Sequence, residues 1–579
     1  MKSVDIAVKR HSLAHILAMA VVELYPEARI STGPATETGF YYNIDFGDNK
    51  VGEENLQKIE EKMREIIARD LEFIRQDIDA AEAKELFKNN PYKLEIIDDK
   101  LAESTTLSTY KTGNDFTDLC SGPHIVNTSQ LDPDAFKLTS VSGAYLKNDE
   151  SRPMLTRIAG IAFDSMDELS KYLQMLEEAK LRDHRKIGRE MDLFTFSPLV
   201  GSGLPMWTPR GTLLRNLIIK KIESIQERFG YQSVTIPHIT KPELYQTSGH
   251  LEKFGEELFH VHGGKSGQNF VMKPMNCPHH TQIFASQART YRDLPVRFSE
   301  TTMVYRDEQA GELLGLSRVR SISQDDGHVF CSRDQLHQEI KNIIAVIREF
   351  YTSLGMWSDG KFWVSLSTRD DESMMGDASL WNLSEKVLEE IAVAENLPYQ
   401  IVPGEAAFYG PKLDFQFTDA LGRQWQLATV QLDFVMPSRF NLEFTNQNGE
   451  REIPVMIHRA IAGSLERFFS VIIEHFAGHF PLWLAPVQLV TIPVREDLHG
   501  EYARNLARDL AASGIRAEYA GHHGSFGKTV RHAREISRVP FVVIIGEQEV
   551  SSGNLTVETP SGKRSMTNTE ILTEFENIQ

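Results

Sequence analysis

Two short stretches place groups together that could do chemistry. His11 and His15 sit four apart in "HSLAHIL", and Cys120 and His124 sit four apart in "DLCSGPH". If the first stretch is helical, its histidines share one face a single turn apart. Imidazoles and a thiol are zinc ligands by type. The same groups, with imidazoles near neutral pKa, could instead orient and activate water. Residue types alone leave both open, although the glutamate of a zinc-hydrolase H-E-x-x-H helix is missing.

A second set lies in "VYRDEQAGELLGLSRVRSISQDDGHVF". Arg306 and Glu308 would share one face of a strand, and Arg318, Arg320, Gln324, Asp326 and His328 one face of the next. Burying two arginines, an aspartate and a histidine is costly unless something binds there. Arginine forks suit phosphate oxygens, and a carboxylate suits an ammonium group. A water-facing sheet with salt bridges is the plain alternative. In "VMIHRAIAGSLERFFSVIIEHF" a short strand runs into a helix, with Ser464 and Arg467 one turn apart. An arginine in a first helical turn does not complement the macrodipole. A bound anion would explain it, and so would pairing with Glu466 or another carboxylate.

These residues need a large scaffold. The 579 residues suggest roughly three to four domains. Hydrophobic residues are 41% and charged residues 25%, which is ordinary for a globular protein. No run of about 18 apolar residues is present, so a membrane-spanning helix is not expected. The three cysteines, Cys120, Cys277 and Cys331, form no disulfide framework and fit a reducing, cytoplasmic setting. A net charge of −19 argues against nucleic acid as a whole-chain partner. Lys180, Arg182, Arg185, Lys186 and Arg189 nevertheless make one basic stretch, either a local binding patch or a solvated helix face.

Periodicity predicts a helix over 6–24 stopped by Pro26, mixed strands and turns to about residue 150, and a connecting helix near 167–190. A long helix, Leu213 to Phe229, then a strand ending at Pro237, opens a region of alternating strands suited to an antiparallel sheet. Residues after 482 read β-α-β, a small α/β domain. The expected fold is therefore multidomain, α+β and α/β.

The helix and strand ending at Pro237, "YRDE…SRVRS" and "GSLERF" resemble motifs 1, 2 and 3 of class II aminoacyl-tRNA synthetases, in order. "KPMNCPHH", "SQDDGHVF", "AFYGPKLDF", "TVQLDFVMPSRF" and "PVMIHRA" are similar to the threonyl-tRNA synthetase family, as are "HSLAH", "DLCSGPH" and "RDHRKIGREMDLF". The resemblance spans nearly the whole chain. It implies an editing domain with helical linker over 1–183, an antiparallel-sheet catalytic domain over 184–481 and an anticodon-binding domain over 482–579. It is of the bacterial type, but without the small domain that usually precedes the editing segment.

The resemblance also assigns roles. Arg306 would hold the α-phosphate of ATP, Glu308 would lie near the adenine, and Arg318 and Arg467 would bind the γ-phosphate, with Gln426 and Ser464 in the same ATP site and Mg²⁺ accompanying ATP. Cys277, His328 and His458 would hold one Zn²⁺ per subunit. Asp326, Tyr409, Gln324 and Gln431 would bind threonine. Lys412 and His250 join Arg306 and Arg467 as catalytic candidates, His250 for moving the proton of the tRNA ribose hydroxyl. Gln426 and Gln431 are five apart, so a bulge between them is expected. His11, His15, Lys93, Asp118, Cys120 and His124 would form an editing site that hydrolyses seryl-tRNA through positioned water, without metal. Glu549 would contact the anticodon, although Glu558 stands where an arginine is expected and the "HHGSFGKTVRHARE" loop is long. The implied partners are tRNA(Thr), ATP, threonine and a second copy of the chain, docked through the long helix.

Zinc bound to both the amino and hydroxyl groups of threonine would refuse valine. Serine lacks only a methyl, worth about 1–3 kcal/mol, so a second hydrolytic site is required. The alternatives are a prolyl- or seryl-type class II enzyme, a non-catalytic RNA-binding paralogue and a metalloenzyme around "HSLAH". The zinc triad with an editing segment opposes the first, the complete arginine set the second, and the missing glutamate the third.

Overall fold

This computed structural model describes residues 4–576 apart from 104, 105, 115, 150, 372, 373, 522 and 523. His522 and His523, which open the long C-terminal loop, therefore lie outside the described residues. The chain packs as two units, Met1–Glu177 and Glu178–Gln579. No helix among the described residues is long and apolar enough to cross a membrane.

The first unit opens with helix Ile6–Leu24, with the expected bounds, capped by the Asp5 carboxylate accepting from Ala7 N at 3.0 Å. Residues 12–21 are buried without a break, so this is a core helix and not a surface stripe. It lies against an antiparallel sheet ordered Arg29–Ile30, Gly39–Asp45, Met154–Ala162, Phe136–Tyr145. A second sheet, Phe73–Asp77, Ser108–Thr112 and Phe116–Leu119, brings Asp118 and the following Cys120 beneath the helix.

The second unit is built on an eight-stranded sheet. Its order is Gln232–Ser233, Val296–Tyr305, Ser321–Cys331, Val455–Ala460, Gln424–Asp433, Lys412–Thr418, Phe362–Ser367, Tyr399–Val402. All pairs are antiparallel except the outermost pair at each edge. Helices Pro209–Arg228, Leu336–Ser353 and Leu465–His475 bury Ile218, Ile222, Ile343, Ile347, Phe468 and Ile472 in its main core. The expected strand up to Pro237 shrinks to Gln232–Ser233. Beyond it, Val234 N still reaches Ser299 O, but Ile236 N turns to the Glu300 carboxylate at 3.1 Å and leaves the ladder.

The connector holds two helices, Met166–Arg182 and His184–Glu190, broken at Asp183. Its basic residues are not simply a solvated row. Arg182 donates to the carbonyls of Glu474 and His475, and Arg185 pairs with Asp183. Beyond residue 482, strands Ala517–Tyr519, Leu489–Pro493 and Phe541–Ile545 run parallel and Leu555–Thr559 and Gly562–Met566 extend them antiparallel, the expected small α/β domain.

Candidate functional site

In the second unit, Arg306, Glu308, Arg318, Gln426, Ser464 and Arg467 line one pocket, with Gln324 on its wall. They arrive from two strands, the connection between strands Val296–Tyr305 and Ser321–Cys331, and one helix start. Strand Val296–Tyr305 ends just before Arg306, and strand Ser321–Cys331 begins after Arg320, so the shared-face argument fails for Arg306, Glu308, Arg318 and Arg320. These four lie in the connection, where no ladder fixes alternation. Arg320 turns back to the Glu308 carbonyl at 2.8 Å, while Arg318 pairs with the Glu308 carboxylate at 2.7 Å. Within the strand, parity holds: Gln324, Asp326 and His328 share a side.

Ser464 is the N-cap of helix Leu465–His475 and accepts from Arg467 N. Glu466 is not the partner of Arg467, since its carboxylate accepts from Ser323 N at 2.7 Å. Arg467 donates to Ser317 O at 3.2 Å and makes no ion pair among the described residues. Burial, with Arg306 and Arg318 close by, lowers its guanidinium from the ordinary value. Arg467, repelled by Arg306 and Arg318, and an unpartnered buried Gln324 Oε1 describe a pocket that gains from a polyanion. The expected bulge is present: Gln416 faces Gln426 while Phe415 faces Ala428, leaving Leu427 unpaired. It turns Gln426 into the pocket.

Beside this pocket, one ligand atom from each of Cys277, His328 and His458 lies within 4.8 Å of the others. His328 Nε2 and His458 Nδ1 are 3.1 Å apart. Outside them, Asp433 Oδ2 meets His458 Nε2 at 2.9 Å, and His280 Nδ1 meets His328 Nδ1 at 2.7 Å. Cys277 opens helix Cys277–Ala285, and the adjoining strands bring the histidines opposite each other. A thiol and two imidazoles, one backed by a carboxylate, fit a metal with an open position. Asp326 borders the triad and accepts from Asn276 Nδ2 at 3.0 Å, and burial pushes its carboxyl up. Tyr409 donates to Gln431 Oε1 at 3.3 Å. His250, buried, has Nε2 at 4.0 Å from Cys277 Sγ and a pKa lowered to about 4, chiefly by burial. Lys412 is already paired with Asp414 at 2.6 Å.

In the first unit, His11, His15, Cys120 and His124 also converge within 4.8 Å. Cys120 Sγ lies 3.3 Å from both His11 Nε2 and His124 Nε2. Ser12 Oγ donates to Val8 O and so accepts from His124 Nδ1, which leaves the His124 Nε2 lone pair facing the thiol. Burial lowers all three imidazoles, His124 to about 2, and pushes the Cys120 thiol up. The cluster is neutral at pH 7. Beneath it, buried Lys93 pairs with Asp118 at 2.5 Å, and Tyr42 OH donates to the same carboxylate.

Residues 107–159 match the threonyl and alanyl tRNA synthetase second additional domain, 259–476 the tRNA synthetase class II core domain (G, H, P, S and T), and 488–577 an anticodon binding domain. The chain is 46% identical to the threonine–tRNA ligase of Rubrobacter xylanophilus, covering 96% of this chain and 86% of that one. It is 44% identical to a threonine–tRNA ligase of Thermus thermophilus, over 95% and 84%. The chain belongs to the threonine–tRNA ligase family. A solved structure described as the RNA binding domain of Cryptosporidium parvum threonyl-tRNA synthetase matches with TM-score 0.64 and 32% identity, over 68% of this chain and 98% of that one. Giardia lamblia prolyl-tRNA synthetase, at 17% identity and TM-score 0.54, shares the fold alone. As a threonine–tRNA ligase, the chain is an aminoacylating enzyme with a class II core, an anticodon-binding domain and a domain for editing mischarged tRNA.

Several residues of this ligase escaped the sequence reading. Asp325 neighbours Asp326 and points to the opposite face, a contrast that "QDD" contained. Asp433, His280 and Tyr42 had no local signal, because their roles arise only when distant strands meet. Glu549 is buried and spent within its own domain, accepting from Gly546 N at 2.9 Å and Thr556 Oγ1 at 2.6 Å. Glu558 holds Arg534 at 3.0 Å and Lys563 at 2.8 Å.

Proposed function

We propose that the chain activates threonine at the arginine pocket and edits seryl-tRNA at the His11 cluster. The observation that carries this is the convergence of Arg306, Arg318 and Arg467 beside the Cys277, His328 and His458 triad. ATP, with Mg²⁺, would lie across the pocket, Arg306 on the α-phosphate, Arg318 and Arg467 on the γ-phosphate, Glu308 near the adenine, with Gln426 and Ser464 completing the wall. The threonine carboxylate attacks the α-phosphorus in line and pyrophosphate leaves, giving threonyl-adenylate. Fixed guanidinium groups stabilise the charge that develops on the phosphates. Asp326, Tyr409, Gln324 and Gln431 orient the amino acid. Zinc, held by Cys277, His328 and His458, would supply Lewis-acid positions for the amino and hydroxyl groups. In the second step a ribose hydroxyl of tRNA(Thr) attacks the acyl carbon of the adenylate, AMP leaves, and His250, neutral in its buried setting, would take up the hydroxyl's proton. Lys412, tied to Asp414, would act on the substrate only by exchanging that partner.

In the first unit, lone pairs of neutral His11 and His124 with the Cys120 thiol are suited to holding a water. Lys93 and Asp118 anchor the floor of that site. The proposal extends to boundaries at 183/184 and 481/482, a cytoplasmic location, and a homodimer through helix Pro209–Arg228, on which Leu213 remains 37% exposed; Glu549 would reach the anticodon only by giving up its bonds to Gly546 N and Thr556 Oγ1.

ATP–pyrophosphate exchange with threonine, serine, valine and proline tests this. Exchange with threonine, weaker exchange with serine and none with valine or proline is expected. Equal exchange with valine would remove the proposed discrimination.

A further inference from the structure

The connector helix His184–Glu190 begins at a histidine that bonds a glutamate through one ring nitrogen and a loop N–H through the other. The ring of His184 is only 3% exposed. Its backbone N and its Nδ1 reach Glu474 Oε1, at 3.1 and 2.6 Å. A carboxylate only accepts, so Nδ1 carries the proton. Nε2 then keeps its lone pair, and Leu316 N donates to it at 3.0 Å. The tautomer is fixed from both sides. Glu474 is held in turn by Arg423 Nη2 at 2.5 Å. Both ring nitrogens are thus occupied, which removes His184, Asp183 and Glu474 as a metal site despite their proximity.

Leu316 is fully buried and sits in a tight turn in which Ser317 N and Arg318 N donate to Leu314 O at 2.8 and 3.3 Å. The next carbonyl, Ser317 O, takes Arg467 Nε at 3.2 Å, and Ser317 Oγ donates to Ser470 Oγ at 2.9 Å. The residue after that is Arg318. The turn passes the imidazole so closely that a Cβ at Gly315, where φ is +50°, would fall 2.2 Å from His184 Nε2. A buried N–H without an acceptor is costly, so losing Nε2 would make the turn move. The carbonyl that orients Arg467 and the backbone of Arg318 would move with it.

We infer that His184 is a positioning residue of the arginine pocket: its Nε2 holds the Leu316 turn and so sets where Arg318 and Arg467 stand. This rests on that pocket being the ATP site. The connector between the first unit and the sheet is then part of the activation machinery.

ATP–pyrophosphate exchange by the full chain tests it. His184→Asn keeps an amide N–H near the Nδ1 position for Glu474 and removes the acceptor for Leu316. His184→Gln places an amide oxygen near the Nε2 position. The expected result is a KM for ATP raised about tenfold in His184→Asn, an unchanged KM for threonine, and recovery of most of the loss in His184→Gln. Gly315→Ala, which crowds the same contact from the loop side, should also raise the KM for ATP. Its effect should not add to that of His184→Asn. Equal ATP effects in Asn and Gln, full additivity with Gly315→Ala, or a lowered melting point with an unchanged KM for ATP would each overturn the inference. Arg467→Ala, run in parallel, separates the two levels. If it abolishes exchange while His184→Asn does nothing, the positioning role is wrong. If it too leaves exchange intact, the ATP reading itself falls.

Discussion

Asp325 Oδ1 and Arg459 Nη1 meet at 2.8 Å behind the catalytic sheet, each residue only 1% exposed. The same carboxylate accepts from Ile461 N at 2.7 Å, Ala462 N at 3.1 Å and Gln226 Nε2 at 3.3 Å. One buried side chain thus ties the long helix Pro209–Arg228 to the backbone that leads into Ser464 and Arg467. Removing one partner of such a pair leaves an uncompensated charge. Asp325→Ala should therefore destabilise the second unit by about 3–5 kcal/mol, read in a denaturant melt. A loss within error of a surface substitution would show that the carboxylate does not organise this region.

The pocket arginines give the second prediction. Arg306→Ala or Arg467→Ala should abolish threonine-dependent exchange while leaving the thermal midpoint close to wild type, since neither guanidinium makes an ion pair among the described residues. For Arg467 the removed charge is one that Arg306 and Arg318 already disfavour. Normal exchange in either variant would remove the assignment of the pocket to ATP.

The general plan of the fold was legible because it rests on periodicity. The antiparallel region and the closing α/β domain follow from apolar spacing, while the helix over 6–24 follows from its length and its stop at Pro26, since residues 12–21 are buried without a break. The parity argument reached Gln324, Asp326 and His328 but failed for Arg306, Glu308, Arg318 and Arg320, because alternation has meaning only inside a hydrogen-bonded ladder. The triad of Cys277, His328 and His458 was reached by family resemblance; its spacing carries no signal, since strand pairing alone brings the histidines together. His184 was hidden within a basic stretch. Its role depends on a glutamate and a loop N–H far along the chain.

Editing gives the third prediction. Serine differs from threonine by one methyl, so the proposed activation site should admit it and loss of the His11 cluster should expose the error. His11→Ala with His15→Ala should leave threonylation near normal and let seryl-tRNA accumulate in an aminoacylation assay. Clearance of seryl-tRNA at the wild-type rate would show that the cluster is not the editing centre.

The same imidazoles predict how the first unit responds to acid. His124 is lowered from 6.5 to about 2, mainly by burial and then by His15 and His11. Unfolded, it would titrate near 6.5, so below that pH the unfolded chain binds the proton that the folded chain refuses. Stability from this group is complete above about pH 6.5 and falls steadily as pH drops toward 2. His11 and His15, also lowered, act with the same sign. Melts of the chain and of a His124→Leu variant between pH 7.5 and 5 should show a shallower acid loss in the variant. Parallel curves would mean that His124 is not held neutral.

Both His/Cys clusters have the composition of a zinc site, so a chain could hold one zinc or two. In the Cys277 set, one imidazole is backed by Asp433 and the other by His280, the outer support that fixes a ligating ring. In the His11 set, the rings lean on the Pro123 carbonyl and the Ser12 hydroxyl, while the nearby Asp118 charge is already taken by Lys93. Their purposes differ as well. Ligating an amine and a hydroxyl together needs a metal, whereas water can be positioned for ester hydrolysis by neutral imidazoles. A Lewis acid at the proposed editing site would also bind the hydroxyl of correctly attached threonine and favour hydrolysis of the correct ester. We therefore expect about one zinc per chain, bound at Cys277, His328 and His458. Metal analysis of wild type, Cys277→Ala and Cys120→Ala decides it, with zinc lost in the second protein and kept in the third. Two zincs in wild type, one of them lost in Cys120→Ala, would make the N-terminal cluster a metal site.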